Sequence, residues 1–241
     1  MYDGSASRLE TGLLKLKKLI FGVGLALCVV APAAQSQNSA GVTFANDGGA
    51  IYVSAKDAAK ALNLPLEYDS RSDLVFLGAI PLDHRSAVGN QRFVRLTALA
   101  KAGAKVRELA GGKTSIVLKG RELIVKTGRK RAVVDKKTQQ LLVYQAGQLV
   151  MSSRVSTGRF AGSTPSGKFR MGYTKDAYHS SAKYNESPMP WAVHVTGNVF
   201  IHGYSDVPNR PASHGCVRLP MDAAEWFYRW VEPGTPVTIR G

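Results

Sequence analysis

The residues best suited to covalent chemistry lie in one stretch, "IHGYSDVPNRPASHGCVRLP" (201–220), which contains His202, His214 and Cys216. The whole chain has two cysteines and five histidines, so their concentration here is a local feature. A cysteine acts as a nucleophile when its thiolate is populated and a nearby base can accept the proton. The stretch is therefore a candidate site for nucleophilic catalysis by Cys216.

His202 and His214 are the two candidate bases for this thiol. A histidine two residues before the cysteine points to the same side of an extended segment, but it need not reach the sulfur. A histidine at the end of an adjacent strand can approach the sulfur directly. We therefore predict that His202 is the base and that His214 supports the loop or the oxyanion site.

Two neighbours of Cys216 are candidates for holding a substrate. Gly215 lets the backbone turn sharply, so the amides of Gly215 and Cys216 can donate to a developing oxyanion. Arg218 lies two residues beyond the cysteine, and its guanidinium suits a substrate carboxylate. The alternative for Arg218 is a structural salt bridge.

Residues upstream of the stretch are candidates for the walls of a substrate cleft, with packing in the core or in a lid as the alternative: Tyr184, Met189 and Trp191. The remaining histidines stand alone in the sequence and are predicted to be surface or packing residues: His84, His179 and His194.

The N-terminus (1–34) has the layout of a secretory signal. A basic segment (8–18) precedes an apolar run (19–30), and small residues follow it. The apolar run is too short to span a bilayer comfortably. We predict export to the periplasm or cell wall, with an uncleaved inner-membrane anchor as the alternative. Cleavage would remove Cys28 and leave one thiol, which cannot form an internal disulfide.

The charge balance is strongly basic. Lys and Arg total 32 and Asp and Glu total 17, which gives a formal net charge of +15. For an exported protein, the expected anionic partners are polymers of the cell envelope. No nucleic-acid motif is present, so nucleic acid is not expected. The alternative is a basic surface that serves only solubility.

The segment after the signal contains an internal repeat. A polar linker is predicted at 35–41, and residues 51–78 align with residues 92–120. Each copy predicts a short apolar stretch, a helix and two strands, so we expect an α+β accessory module (42–126) whose copies complete one core. The pattern resembles the N-terminal domain related to that of copper amine oxidases, although it has no His/Cys cluster for copper.

The C-terminal part (130–241) is predicted to be a catalytic domain that is mainly β. Apolar strand patterns alternate with Gly- and Pro-rich turns. The segment 221–231 predicts a helix, and 235–240 predicts a closing strand. The expected fold class is α+β, mainly β.

The stretch "IHGYSDVPNRPASHGCVRL" resembles the signature of the YkuD-type L,D-transpeptidases, in which His-Gly precedes Ser-His-Gly-Cys and an Arg or Asn. "VDKKTQQLLVYQAGQLVMSSRVSTG", "STPSGKF" and "GTPVTI" fit the same running order. The resemblance implies a β-sandwich domain that needs no metal or organic cofactor. Within "STPSGKF", the match assigns Thr164, Pro165 and Gly167 to a structural turn near the cleft.

The same match implies a role for each residue of the signature. Cys216 would be the nucleophile, His202 the base, and Gly203 the residue whose carbonyl orients that base. Arg218 takes the place of the family's Arg or Asn. Ser213, His214 and Gly215 would shape the site. Ser213 would also contact the substrate.

The implied substrate is the stem peptide of peptidoglycan. Cys216 would form a thioester with a tetrapeptide stem, and a second stem's amine would accept the acyl group in a 3→3 cross-link. Water or a lipoprotein lysine are alternative acceptors. The remaining rivals are a zinc site made by His202, His214 and Cys216 and a wall-binding protein without activity.

Overall fold

The computed structural model describes residues 36–172, 175–182 and 185–241, which are mostly β, with 49% strand and 12% helix. This confirms the mainly β fold class that the sequence predicted. The predicted signal peptide (1–34) and Tyr184 lie outside the described residues. No helix within the described ranges is long and apolar enough to cross a membrane.

The N-terminal part of the described chain is built from strands around two short helices. Its elements are β1 (Ser36–Thr43), β2 (Ile51–Ser54), α1 (Ala55–Leu62), β3 (Leu66–Asp69), β4 (Leu74–Leu77), β5 (Ile80–Leu82), β6 (His84–Ala87), β7 (Gln91–Arg95), α2 (Leu96–Lys101), β8 (Lys105–Leu109), β9 (Lys113–Leu118) and β10 (Arg121–Thr127). One sheet has the order β6-β7-β2-β1-β10-β9-β8, and β3-β4-β5 form a smaller sheet.

The predicted repeat appears in the structure as β2-α1-β3-β4 followed by β7-α2-β8-β9. Val53 and Val94, which open the two copies, are register partners on the antiparallel strands β2 and β7, and both are fully buried. Leu77 and Leu118 from the two copies belong to the same hydrophobic core. The prediction that the copies complete one core is confirmed.

The segment predicted as a linker differs in the structure. Residues 36–41 form the start of β1, which pairs in parallel with β10 from Ser36↔Glu122 to Gly41↔Thr127. Strand pairing uses backbone groups, so the polar side chains that suggested a linker are compatible with it when one face is exposed. Ser36 and Asn38 lie on that exposed face.

The C-terminal part contains two larger sheets and one helix. Its elements are β11 (Lys130–Asp135), β12 (Gln140–Gln145), β13 (Gln148–Arg154), β14 (Gly167–Arg170), β15 (Lys175–Asp176), β16 (Ser180–Ser181), β17 (Ser187–Pro188), β18 (Ala192–Thr196), β19 (Val199–Gly203), β20 (Val217–Leu219), α3 (Met221–Trp230) and β21 (Pro236–Arg240). The sheet orders are β13-β12-β11-β21-β14 and β15-β18-β19-β20, and β16 pairs with β17.

Both sheets contribute to one hydrophobic core. Leu141 of β12 and Ile239 of β21 pack in the same buried cluster as Ile201 of β19 and Leu219 of β20. Phe227 of α3 completes this cluster. The core therefore fixes β19 and β20, the two strands that carry the reactive stretch.

Buried contacts join the two parts of the chain. Gln145 is fully buried, and its Oε1 accepts hydrogen bonds from Thr43 N (2.9 Å) and Thr43 Oγ1 (3.1 Å). Trp230 Nε1 donates to Thr43 O at 3.2 Å. Tyr52 and Phe93 from the N-terminal part belong to the C-terminal core cluster. The N-terminal part of the described chain is thus packed against the C-terminal part.

Candidate active site

The parallel pairing of β19 and β20 places the reactive residues on one face. His202 is opposite Arg218, and Ile201 is opposite Val217. Side chains alternate along a strand, so Cys216, one residue before Val217, shares a face with Arg218 and His202. Val217 and Leu219 are fully buried on the opposite face. One face of β19 and β20 is therefore buried in the core, and the other face carries the candidate site.

His202 is held in a defined orientation within the site. Its side chain is buried, and Nδ1 lies 2.8 Å from the carbonyl oxygen of Gly203. A carbonyl only accepts hydrogen bonds, so Nδ1 carries the proton in the neutral ring and Nε2 has a free lone pair. Gly203 thus has the position that the predicted orienting role requires.

The imidazole of His202 is neutral over most of the pH range. Burial lowers its pKa from 6.5 to about 4, against the opposing effect of the Gly203 carbonyl. The charges of Arg218 and His179 also contribute to this lowered pKa. At neutral pH the ring is therefore an unprotonated base.

The thiol of Cys216 is also held in its neutral form. Burial raises its pKa, while a backbone hydrogen bond from Phe200 and the charge of Arg218 oppose that rise. The sulfur donates to the carbonyl of Asn198 at 3.5 Å and contacts Met189 Sδ at 4.0 Å. The resting site therefore contains a neutral thiol beside a neutral imidazole.

The part of the chain that contains these residues matches a known protein family. Residues 129–239 match the L,D-transpeptidase catalytic domain, YkuD. The match begins one residue before β11 and ends within β21, so it includes α3 and the cysteine stretch.

Solved structures similar to this chain include three L,D-transpeptidases. The protein from Xylanimonas cellulosilytica is 28% identical, with 46% of this chain and 60% of that chain covered and a TM-score of 0.42. The protein from Stackebrandtia nassauensis is 27% identical, with coverages of 48% and 57% and a TM-score of 0.44. The protein from Mycobacterium smegmatis is 18% identical, with coverages of 87% and 96% and a TM-score of 0.44.

The chain thus spans about 60% of the length of the first two structures. With TM-scores below 0.5, these similarities do not define the fold of the whole chain. A search of curated proteins gave no match. The comparisons do not support the predicted likeness of residues 42–126 to the copper amine oxidase-related domain.

The turn before the cysteine is held by hydrogen bonds of a buried serine. The Ser213 hydroxyl accepts from Gly215 N (3.0 Å) and donates to Cys216 O (2.5 Å). The Gly215 amide is therefore already paired, which contradicts the expectation that it donates to an oxyanion. Ser213 is buried and both of these bonds lie within the turn, so the structure gives it a positioning role; its substrate contact stays a prediction.

A second loop closes over this turn from the other side. The Thr164 hydroxyl donates to Gly215 O at 2.6 Å and accepts from Gly158 N at 2.8 Å. A Cβ atom on Gly215 would lie 2.8 Å from the carbonyl oxygen of Ser163, closer than real side chains approach backbone. Gly215 is thus required by close approach, and Thr164 belongs to the structural turn that the sequence predicted.

The reactive groups line a small cavity of about 40 Å³. Cavities that hold small organic ligands typically measure about 300–1,000 Å³, so this one is smaller than a typical ligand pocket. The lining residues are Ser181, Ser187, Met189, His202, Tyr204, Ser213, His214, Cys216 and Arg218. Of these, Ser181, Ser187 and Tyr204 were not predicted, because their segments carry no periodic pattern.

One side of the cavity is lined by the hairpin of β16 and β17 and by Met189, which follows it. Met189 N donates to His179 O (2.8 Å), and Trp191 N donates to Ala177 O (3.1 Å). Pro190 O accepts from Gly203 N at 2.7 Å, which ties the end of the hairpin to β19. Met189, for which the sequence left cleft and packing open, thereby reaches the thiol.

Arg218 is half-buried and lies in the cavity wall. Its guanidinium carbon is 4.0 Å from the centre of the Tyr204 ring. Among the described residues it forms no ion pair. The structural salt bridge considered as the alternative is thus not observed in the described part of the chain, and the charge remains available to a substrate.

Other predicted residues lie elsewhere. Trp191 adopts the left-handed conformation (φ 57°), and its ring packs 5.4 Å from that of Tyr228, so it does not line the cavity. His214 lines the cavity but its side chain is exposed. His179 was predicted to be a surface or packing residue; its ring lies 4.8 Å from Phe200, and its charge acts on His202.

The donor groups do not form a metal centre. Within the described ranges, no three His, Cys, Asp or Glu side chains are grouped closely enough to hold a metal ion. His202, His214 and Cys216 therefore do not have the geometry that the zinc alternative requires.

Proposed function

We propose that this protein is an exported L,D-transpeptidase that uses Cys216 as its nucleophile and acts on the stem peptides of peptidoglycan. The observation that carries the proposal is the shared cavity of Cys216, Arg218 and a His202 whose Nδ1 is bound by the Gly203 carbonyl. The match of residues 129–239 to the family supports the same reaction class.

In the first step, the sulfur of Cys216 attacks the carbonyl carbon of the third stem residue while its proton passes to His202 Nε2. The bond from this carbonyl to the nitrogen of the terminal D-alanine then breaks. His202 returns the proton to the departing amine, which leaves a thioester on Cys216. The neutral resting pair suits this step, because the base is unprotonated at neutral pH.

In the second step, an amine of another stem attacks the thioester carbon. His202 accepts the amine proton and transfers it to the departing thiolate, which gives a 3→3 cross-link and restores the thiol. Water in place of the amine would give L,D-carboxypeptidase activity, and a lipoprotein lysine would give protein anchoring. No step requires a metal or organic cofactor.

The oxyanion of each tetrahedral intermediate needs hydrogen-bond donors. Gly215 N is paired with Ser213, so we assign the backbone amide of Cys216 as the protein donor in place of the predicted pair. The guanidinium of Arg218 lies in the same cavity wall and offers a partner to a stem carboxylate.

The test is mass spectrometry of the purified protein incubated with disaccharide-tetrapeptide. An adduct on Cys216 together with 3→3 dimers is expected, and tripeptide products alone would identify the carboxypeptidase. Cys216→Ala should form no adduct. His202→Gln should slow acylation by about 100- to 10,000-fold.

The matched control is His194→Gln. His194 bonds to the carbonyl of Gly197 and does not line the cavity, so this variant should acylate normally. Unchanged muropeptides with the wild-type protein would contradict the proposal and favour a wall-binding protein without activity. Equal rates for His202→Gln and His194→Gln would contradict the assigned base.

A further inference from the structure

One face of the N-terminal sheet carries a cluster of cations. On β8, Lys105 and Arg107 are two residues apart, and Leu109 of the same strand is opposite Lys113 on β9. Lys113 is opposite Lys126 on β10. Register partners share a face, as do residues i and i+2, so these side chains project from the same side of the sheet. We call this surface the basic sheet face; its cations are Lys105, Arg107, Lys113 and Lys126.

The basic sheet face is open to solvent. All four cations are exposed, whereas Ile116 and Leu123 on the opposite face are fully buried under the helices. On strand β1 of the same sheet, Ser36 and Asn38 are exposed on the side shared with the cations. The face therefore extends across four neighbouring strands without an element packed on it in the described structure.

Most of the charge on this face is not neutralised by the residues that the structure describes. Glu122 is the one carboxylate whose side chain shares this face within the four strands, and it accepts a hydrogen bond from Ser115 Oγ (2.5 Å). None of the four cations forms an ion pair with another described residue. A net charge of about +3 thus remains on the basic sheet face.

Apolar side chains lie among these cations. Leu109 is 39% exposed, and Val117 and Ile124 are half-buried on the same side of the sheet. Surfaces that combine cations with accessible apolar groups suit the headgroup layer of an anionic bilayer, where each Lys or Arg contributes about 1 kcal/mol.

Strand β1 of this sheet closely follows the apolar segment 19–30 in the sequence, which is consistent with a membrane partner. The apolar segment 19–30 is followed by five residues before Ser36, the first residue of β1. Five residues span at most about 20 Å. While that segment remains attached and inserted, β1 stays close to the membrane.

We propose that the basic sheet face docks onto an anionic phospholipid leaflet through Lys105, Arg107, Lys113 and Lys126. The phosphate groups of the lipids pair with these cations, and Leu109 contacts the boundary of the acyl chains. This docking is independent of the reaction at Cys216.

The test is cosedimentation of the full chain with vesicles. The vesicles are an equal mixture of phosphatidylglycerol and phosphatidylcholine, or phosphatidylcholine alone, at low salt and at high salt. The face variant is K105Q/R107Q/K113Q/K126Q. It should partition onto the anionic vesicles about 100-fold more weakly than wild type, and high salt should remove most of the wild-type advantage.

The matched control removes the same number of charges elsewhere: K56Q/K60Q/R71Q/K168Q. Lys56 and Lys60 lie on the exposed side of α1, which packs against the opposite face of the sheet. This control should bind like wild type. Because residues 19–30 are present in all three proteins, insertion of that segment affects them equally. Thermal unfolding of both variants verifies that the exposed substitutions leave the fold intact.

Equal weakening by the face variant and the control would overturn the proposal, because binding would then depend only on total charge. Unchanged binding by a folded face variant would also overturn it. A third contrary result is stronger binding to soluble polyphosphate than to anionic vesicles, which would identify a polyanion as the partner. These readouts do not involve peptidoglycan, so they are independent of the proposed enzymatic activity.

Discussion

His202 and Arg218 lie directly opposite each other on the adjacent parallel strands β19 and β20. Burial and, to a smaller extent, the guanidinium of Arg218 lower the pKa of the imidazole to about 4. The same guanidinium partly offsets the burial that raises the pKa of the Cys216 thiol. One cation therefore acts on both reactive groups. The resting site contains a neutral pair rather than a preformed thiolate–imidazolium pair.

The neutral pair predicts a characteristic pH dependence. The kcat/KM for tetrapeptide should rise with pH through about 4, where His202 loses its proton, rather than through 6.5. Alkylation of Cys216 by iodoacetamide should increase with pH up to and beyond 9.0, the thiol's ordinary pKa. Stopped-flow alkylation and steady-state rates test both expectations. Fast alkylation that stays constant from pH 5 to 8 would indicate an ion pair and contradict this reading.

Arg218→Gln should raise the pKa values of both His202 and Cys216. Loss of the cation raises the pKa of His202 from about 4 towards 6.5, so the acidic limb of kcat/KM moves to higher pH. The pKa of the Cys216 thiol also rises, and KM should increase through loss of the substrate carboxylate's partner. The control is Arg229→Gln, on the exposed side of α3. It should change neither the pH profile of kcat/KM nor KM. An acidic limb that stays in place would show that Arg218 does not act on His202.

Gly203→Ala should disturb the packing of α3 against β19. The new Cβ would lie 2.8 Å from Met221 Sδ and 3.3 Å from Ala224 Cβ. Overpacking of this kind costs about 1–3 kcal/mol of unfolding free energy. Since Met221 is 44% exposed and its side chain is flexible, Met221→Ala in the same protein should recover much of the loss. Urea unfolding of both single variants and the double variant measures this coupling, and strictly additive effects would argue against the predicted clash.

Thr164→Val should weaken both stability and turnover. The hydroxyl is buried and bridges Gly158 N and Gly215 O, so valine would keep the shape but leave a buried amide and a buried carbonyl unpaired. Each such group costs about 1–3 kcal/mol. Turnover should fall as the turn before Cys216 loosens. Thr138→Val, at an exposed loop position, should remain within about 0.5 kcal/mol of wild type; an equally small change for Thr164→Val would contradict the positioning role.

The sequence identified the residues whose chemistry and local spacing are distinctive. His202, Cys216 and Arg218 lie on one face because side chains alternate along strands, and this alternation is readable from the sequence. The pairing of Gly215 N with Ser213 was missed, because a free amide and a paired amide have the same sequence signature. Only the folded turn shows which acceptor is within reach.

The contact between Met189 and the Cys216 thiol could not be predicted for a related reason. Met189 reaches the thiol because backbone bonds of the hairpin, such as Met189 N to His179 O, fix its path. These bonds are independent of side-chain type, and the segment has no apolar period. In the N-terminal part, by contrast, the repeated spacing of Val53 and Val94 correctly predicted a shared core.

The parallel pairing of β1 with β10 has a consequence for the order of folding. Ser36 finds its partner Glu122 only after both copies of the repeat have left the ribosome or the export channel. Closing so long a loop carries an entropic penalty that local hairpins do not have. We therefore expect β10-β9-β8 to form first and β1 to join late. Until it does, the edge of β10 is unpaired and accessible to other chains.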